Sequence, residues 1–352
     1  MAYQIVSQRY INRLFHTPPR NFKYLDELIH SSDGKVVLKS DIVIDDAESD
    51  IYRRGIDFKG DVLHIDGAGH TIDAKCMAAI FNFNGKDIRI ENTIFKNGHE
   101  RENDREIISN DGMLSLLNCG FLNNVGPVSS EGDMIIKDCV FKGNEEAIGH
   151  FDGKLEVCNS IFKDNSGHMG SVIYSDGRVI FTRCAFIGNR AGYLGAIYSE
   201  GGEMIIKSCD FKNNSSEGHA GAIDNGEDSY MAIVESRFEK NHAKREGGAI
   251  RNEGNLIIRD CEFKNNHSTF GGAIHNTLNL GIHESSFLAN ISKSNGGAID
   301  NTGGVLEISN SKFSDNRGGI GEAICVSKND AFKLDGCDLN GDWIGYHEDY
   351  AF

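Results

Sequence analysis

The sequence predicts an all-β fold, a single solenoid of similar coils built from short strands. Three observations carry this. A segment of 20–27 residues recurs through most of the chain. Its apolar residues alternate with period two rather than 3.6, which is the pattern of strands and not of helices. Glycine is abundant, at 41 residues, and proline scarce, at 3; many tight turns with an uninterrupted hydrogen-bond ladder require that balance.

The clearest marker of the period is a Phe-x-x-Asn piece. Its phenylalanine falls at Phe95, Phe121, Phe141, Phe162, Phe186, Phe211, Phe238, Phe263, Phe287 and Phe313. Asparagine follows three places later in every copy but the first, from Asn124 to Asn316. Two residues before each phenylalanine stands a small hydroxyl or thiol residue, among them Thr93, Cys119, Cys139, Cys184, Cys209, Ser236, Cys261 and Ser285. A second piece is Gly-Ala-Ile, at Gly195-Ala196-Ile197, Gly221-Ala222-Ile223, Gly248-Ala249-Ile250, Gly272-Ala273-Ile274 and Gly297-Ala298-Ile299, with Gly170-Ser171-Val172-Ile173 as a relative. A unit this short has no face it can bury alone, so coils must stack, phenylalanine over phenylalanine and isoleucine over isoleucine. Strands pair about 4.8 Å apart, so eleven to thirteen coils would make a rod of roughly 50–60 Å. The asparagine column is expected at a turn, where Asn tolerates left-handed geometry and its amide bonds backbone.

These pieces resemble the repeats of chlamydial polymorphic membrane proteins and archaeal adhesin-like proteins. Residues 63–74, Leu63-His64-Ile65-Asp66-Gly67-Ala68-Gly69-His70-Thr71-Ile72-Asp73-Ala74, also resemble the opening coil of many pectate-lyase-like proteins. The resemblance spans roughly residues 22–340 and implies a right-handed parallel β-helix. That fold hosts lyases, hydrolases, adhesins and phage tail proteins, so it does not choose among activities.

In chain order, residues 1–31 are expected to form an N-terminal helical cap, 32–340 the β-helix and 341–352 a C-terminal cap. Residues 1–16 read as an amphipathic helix that Thr17-Pro18-Pro19 breaks, either extending the cap or serving as a docking element. Residues 22–30 read as a second short helix covering the open strand edge. Val36-Val37-Leu38 and Ile42-Val43-Ile44 begin the strands, and residues 45–61 read as a looser polar insertion. Glu100 to Glu106 reads as a solvated loop. Trp343, Tyr346, Tyr350 and Phe352 would supply an aromatic lid.

The formal net charge of −16 disfavours nucleic acid and anionic membranes as partners. No run of 18 apolar residues exists, so no spanning helix is expected. Arg9 and Arg13 interrupt the stretch that a secretory signal would keep apolar. Nine cysteines without a Cys-x-x-Cys pair point to buried free thiols, with no zinc site, in a reducing compartment such as the cytoplasm. The resemblance instead implies a surface or secreted protein. No cofactor is demanded, although the acidic surface could hold calcium loosely. The sequence specifies no oligomeric state.

The column most suggestive of function follows the Gly-Ala-Ile isoleucine: Tyr174, Tyr198, Asp224, Arg251, His275 and Asp300. With isoleucine inward, strand alternation turns this neighbour outward, and its charged members should avoid the dry core. A companion column two residues before the glycine holds His168, Tyr193, His219, Glu246, Phe270 and Asn295. The two make an exposed strip on which Tyr174, Tyr193, Tyr198, His219, Asp224, Arg251, His275 and Asp300 are the candidate ligand-binding residues. One reading is a strip for polysaccharide, or for a surface glycan or protein: aromatic faces suit sugar rings and charged groups bond hydroxyls. The other is a solvated edge whose charges stabilise one another by roughly 0.2–1 kcal/mol per cross-strand pair. Catalysis finds less support. Asp224 and Asp300, three coils and roughly 14 Å apart, are too distant to flank one glycosidic bond. Arg251 and His275 are close enough to serve a lyase, but the motifs of polygalacturonase-like hydrolases and pectate lyases are missing. The reading is therefore a non-enzymatic, adhesin-like binding module. A polysaccharide lyase or glycoside hydrolase is the first alternative, and a structural spacer or fibre segment the second.

Overall fold

The computed structural model describes residues 18–99, 106–150 and 152–347. The expected helix over 1–16, the core of the 100–106 loop, Tyr350 and Phe352 lie outside the described residues. The fold is all-β, a right-handed parallel β-solenoid of about 12 turns with one short helix near the N-terminus. The chain divides into two compact units, Met1–Ile161 and Phe162–Phe352.

The first unit opens with the helix Phe22–Ser31, which buries Phe22, Leu25 and Ile29. Asn21 caps it by accepting from the Tyr24 amide at 3.1 Å. The buried Glu48 carboxylate accepts from the amides of Phe22 and Lys23, placing negative charge where the helix dipole favours it. The 45–61 segment is thus more than a loose insertion. Tyr52 is buried, packs edge-on against Phe22 and donates its hydroxyl to Asp26 at 2.9 Å. The coils follow as parallel strands in register, with Phe95 over Phe121 over Phe141 at ring separations of 5.0 and 4.4 Å.

The second unit repeats one coil plan. A three-residue strand such as Ile250–Asn252 leads into the five-residue strand Asn255–Arg259, then the phenylalanine strand Glu262–Lys264, then a two-residue strand, His267–Ser268. The two-residue strands form a six-stranded sheet of their own, from Ser166–Gly167 to Ile291–Ser292. The rings of Phe211, Phe238, Phe263, Phe287 and Phe313 stack in a single interior file, 4.7–4.8 Å apart and nearly parallel. That spacing is the strand separation itself, so backbone pairing and ring stacking enforce the same register.

Each phenylalanine strand is only three residues long because a left-handed corner closes it at both ends. Asp260 and Asn265 take φ of +52° and +55° around Glu262–Lys264, and Glu235 and Lys240 do the same one coil earlier. The left-handed residue is thus the one before the repeated asparagine, not that asparagine itself. The repeated asparagines are buried and form a ladder. Asn241 Oδ1 accepts from the backbone amide and the Nδ2 of Asn214, both at 3.0 Å, while Asn241 Nδ2 donates to the Phe211 carbonyl. The pattern repeats at Asn266, Asn290 and Asn316 and ends on the Asp342 carboxylate. A buried corner amide with no strand partner would cost about 1–3 kcal/mol, and the ladder supplies the missing acceptor.

The hydroxyl and thiol column does the same for the other corner. Cys209 N donates to Ser236 Oγ, Ser236 N to Cys261 Sγ and Cys261 N to Ser285 Oγ, at 3.1, 3.4 and 3.1 Å. This explains why Ser, Thr and Cys interchange there: each offers one small acceptor. Cys119, Cys139, Cys209 and Cys261 are buried free thiols, and burial pushes the Cys261 thiol up to about 11. The C-terminus departs from expectation. Ile344–His347 is a strand paired with Ile324–Ser327, so the solenoid reaches into the segment expected to lie beyond it. Trp343 and Tyr346 are 46% and 57% exposed rather than buried as a lid.

Replacing Asn241 with Ala strands two donors and a carbonyl, and should lower unfolding stability by at least about 2 kcal/mol. Lys240→Gly, one residue away, relieves a left-handed β-carbon and should be neutral or stabilising by up to about 1 kcal/mol. Urea unfolding of the two variants against the parent distinguishes the ladder from the corner.

Candidate functional site

The candidate column lies in the second unit and is continuous in register. Tyr174, Tyr198, Asp224, Arg251, His275 and Asp300 face one another on successive strands, and Cys325 and Gly345 continue the file. The expectation that its charged members avoid the interior is corrected. Asp224 and Asp300 are 0% exposed, and His219 and His275 are buried as well. A tight turn precedes each of these strands, Ala220-Gly221 before Asp224 and Gly-Gly before Arg251, His275 and Asp300. Gly247, Gly271 and Gly296 adopt φ near +60°, and a β-carbon on any of them would sit within 2.1 Å of the carbonyl of the isoleucine three residues on. The turn therefore folds back tightly against the start of its own strand. At those three glycines only backbone without a side chain fits, whereas Ala220 holds the equivalent place before Asp224 with φ of +51°.

The charges of the column are spent on one another. Arg251 is the hub. Its Nη1 lies 3.4 Å from Asp224 Oδ1, its Nε 3.2 Å from Glu246 Oε2, and its Nη2 contacts Glu253. Glu246 Oε2 also meets His219 Nδ1 at 2.8 Å and lies 4.0 Å from His275 Nε2. His275 Nδ1 is 3.1 Å from Asp300 Oδ2. Asp224 Oδ2 and Asp300 Oδ1 are buried without a hydrogen-bond partner. The network thus joins five of the eight expected residues through Glu246, which belonged to the companion column but was not among the candidates. The tyrosines stand to one side. Tyr174 and Tyr198 meet edge-to-face at 5.4 Å, and Tyr193 packs edge-on against His219 at 5.2 Å while remaining 44% exposed.

Two of the three carboxyls on Arg251 are driven apart. Burial raises Asp224 to about 7, only partly offset by Arg251. Glu246 is also penalised by burial, but its hydrogen bond to His219 and the charges of His275, His219 and Arg251 hold it at about 2. Desolvation of the guanidinium is more than offset by Asp224, Glu253 and Glu246, so Arg251 stays charged. Arg251 does not do the same for Asp224 because Asp224 is wholly out of water while the guanidinium divides itself among three carboxylates. Burial, reinforced by Asp224, also raises Tyr198.

A separate groove of about 390 Å³ lies on the phenylalanine strands and is lined by Asp210, Lys212, Arg237, Glu239, Glu262 and Lys264. Its charges pair across strands, Lys212 with Glu239 at 2.8 Å and Arg237 with Glu262 at 3.7 Å. Such exposed pairs contribute little each, and the groove offers neither the aromatic faces nor the buried carboxyls of the column.

Asp224 sets a pH dependence. Its folded value near 7 lies above the unfolded value of about 3.9, so the native state holds the proton more tightly between those limits. Stability contributed by protonated Asp224 is present below about pH 4 and is lost as pH rises toward 7. Thermal unfolding midpoints between pH 4 and 8 should therefore fall more steeply in the parent than in Asp224→Asn. Glu246→Gln should instead remove stability that the parent keeps above about pH 4.5 and loses on acidification.

Residues 170–339 match the family described as a right handed beta helix region. No curated protein sequence matches the chain. Among solved structures, the catalytic unit of a thermostable GH87 alpha-1,3-glucanase from Streptomyces thermodiastaticus strain HF3-3 superposes with a TM-score of 0.45 and 10% identity, over 96% of this chain and 71% of that one. With its repeated coils, stacked phenylalanines and parallel register, the chain is a right-handed parallel β-helix repeat protein.

Proposed function

We propose that this chain is a non-enzymatic binding module that contacts a polysaccharide, or a surface glycan, along the edge of the candidate column. The supporting observation is the division of labour within the strip. Asp224, His275 and Asp300 are buried and engage their neighbours, so they serve to hold the strip rigid. Contact with a ligand then falls to Tyr193 and to the half-buried pair Tyr174 and Tyr198, with Arg251, Glu246 and Glu253 at the rim. Rings held on a rigid scaffold bind flat sugar faces at low entropic cost. Successive subsites one strand apart suit a linear polymer.

One observation favours a second reading, a glycoside hydrolase. Asp224 near 7 and Glu246 near 2 are two carboxyls with separated proton affinities on one guanidinium, and such separation marks acid and base roles. For that reading the cover over Asp224 must open.

Titration calorimetry with a panel of soluble polysaccharides, paired with a reducing-end assay, separates the readings. Binding without new reducing ends is expected. Tyr193→Ala combined with Tyr198→Ala should weaken it at least about tenfold, roughly 1.4 kcal/mol. Reducing ends that vanish in Asp224→Asn favour the hydrolase. Absence of saturable binding to any glycan removes both readings and leaves a structural spacer.

A further inference from the structure

Past Asp300 the column runs on to a set of side chains of a different chemical kind. Cys325 follows Gly321-Glu322-Ala323-Ile324, a drifted copy of the Gly-Ala-Ile piece, and lies in register with Asp300. The next position in the file is Gly345. A β-carbon there would meet the Gly321 amide at 2.5 Å, so close backbone approach keeps this position without a side chain. Two residues on, His347 pairs in register with Ser327. An oxygen of Asp300, the sulfur of Cys325 and a ring nitrogen of His347 all lie within 4.8 Å of one another.

Three further features make this more than a chance meeting. Asp300 and Cys325 are 0% exposed. The Asp300 carboxylate is held on one oxygen by His275 Nδ1 at 3.1 Å, while its other oxygen is buried without a hydrogen-bond partner. Ser327 Oγ lies 3.1 Å from His347 Nε2 and orients the ring. A buried carboxylate oxygen with no donor is costly. A divalent cation removes that penalty: it takes the unpartnered carboxylate oxygen as a ligand, with the neighbouring Cys325 sulfur as thiolate.

We propose that Asp300, Cys325 and His347 are the protein ligands of a transition-metal site of the Zn²⁺ class, with His275 and Ser327 as positioning residues. The donor set decides the class. A thiolate and an imidazole select a borderline-soft cation and disfavour calcium and magnesium, which take oxygen. Three protein ligands leave a fourth tetrahedral position for water. Binding releases one proton, from the Cys325 thiol to solvent, and changes no oxidation state. The ligands come from three successive strands, Ile299–Asn301, Ile324–Ser327 and Ile344–His347, so the metal would pin the last coils together. The expectation of no metal rested on the missing Cys-x-x-Cys pair; here stacking of coils, not local spacing, brings the ligands together.

The test uses the full chain, stripped with a chelator under reducing conditions and titrated with Co²⁺. A thiolate-to-cobalt charge-transfer band saturating at one equivalent is expected, absent in Cys325→Ser and in His347→Ala. His275→Gln should retain the band but weaken cobalt binding about tenfold or more. Added Zn²⁺ should displace the cobalt and raise the thermal midpoint of the parent but not of His347→Ala, a change at a half-buried residue of the final strand that leaves the core intact. No band in the parent overturns the proposal. So does a band that persists in Cys325→Ser, which would assign it to another cysteine.

Discussion

The structure depends on one constraint: every coil must lie on the next in exact parallel register, because each coil completes the hydrogen bonding of its neighbour. Strand backbone does this for itself. The corners cannot, since their amides point along the stack with no strand opposite. Asparagine solves the problem at one corner because it carries both an acceptor for the coil before and a donor for a carbonyl further back. Serine, threonine and cysteine solve it at the other with a single acceptor. The ladder can end on Asp342 because its last member needs only to accept. A second asparagine file, Asn225, Asn252, Asn276 and Asn301, ends in the same manner on Asp330.

The same register dictates the chemistry of the candidate column. Equivalent side chains must stand one strand spacing apart, and like charges at that distance would repel. The file answers with Asp224, Arg251, His275 and Asp300 in sequence, in which Asp224 pairs with Arg251 and His275 with Asp300, while Glu246 stands between Arg251 and His275. Burial of Asp224, His275 and Asp300 then makes the pairing obligatory. Buried ion pairs of this kind repay their desolvation only with good geometry, and Arg251 supplies it by serving three carboxylates at once. The result is a paired polar spine with its tyrosines at one end. At the other end the file passes from charged groups to a thiol and an imidazole.

Much of this was legible from residues alone. The phenylalanine file, the period and the parallel coils follow from counting, since only stacked copies bury so short a unit. The candidate column was equally legible as a column. Its environment was not: alternation turned Asp224 away from the phenylalanine core correctly, but its complete burial appears only when the coils are stacked. Glu246 was visible two residues before its glycine, yet its role as a bridge between His219, Arg251 and His275 needs three coils at once. Cys325 could have been found by extending the drifted repeat one coil further.

What the sequence by itself determined is the periodic part: which residues recur, which alternate inward, and therefore that the coils stack as a parallel solenoid. Those properties are local and survive drift because each copy carries the whole pattern. Only the tertiary structure decided which polar groups lose water and which of them meet. Asp300 and His347 are 47 residues apart in sequence and become neighbours solely through the register of the final coils. Desolvation and charge pairing depend on what surrounds a side chain, and in this fold the neighbouring coils supply the surroundings.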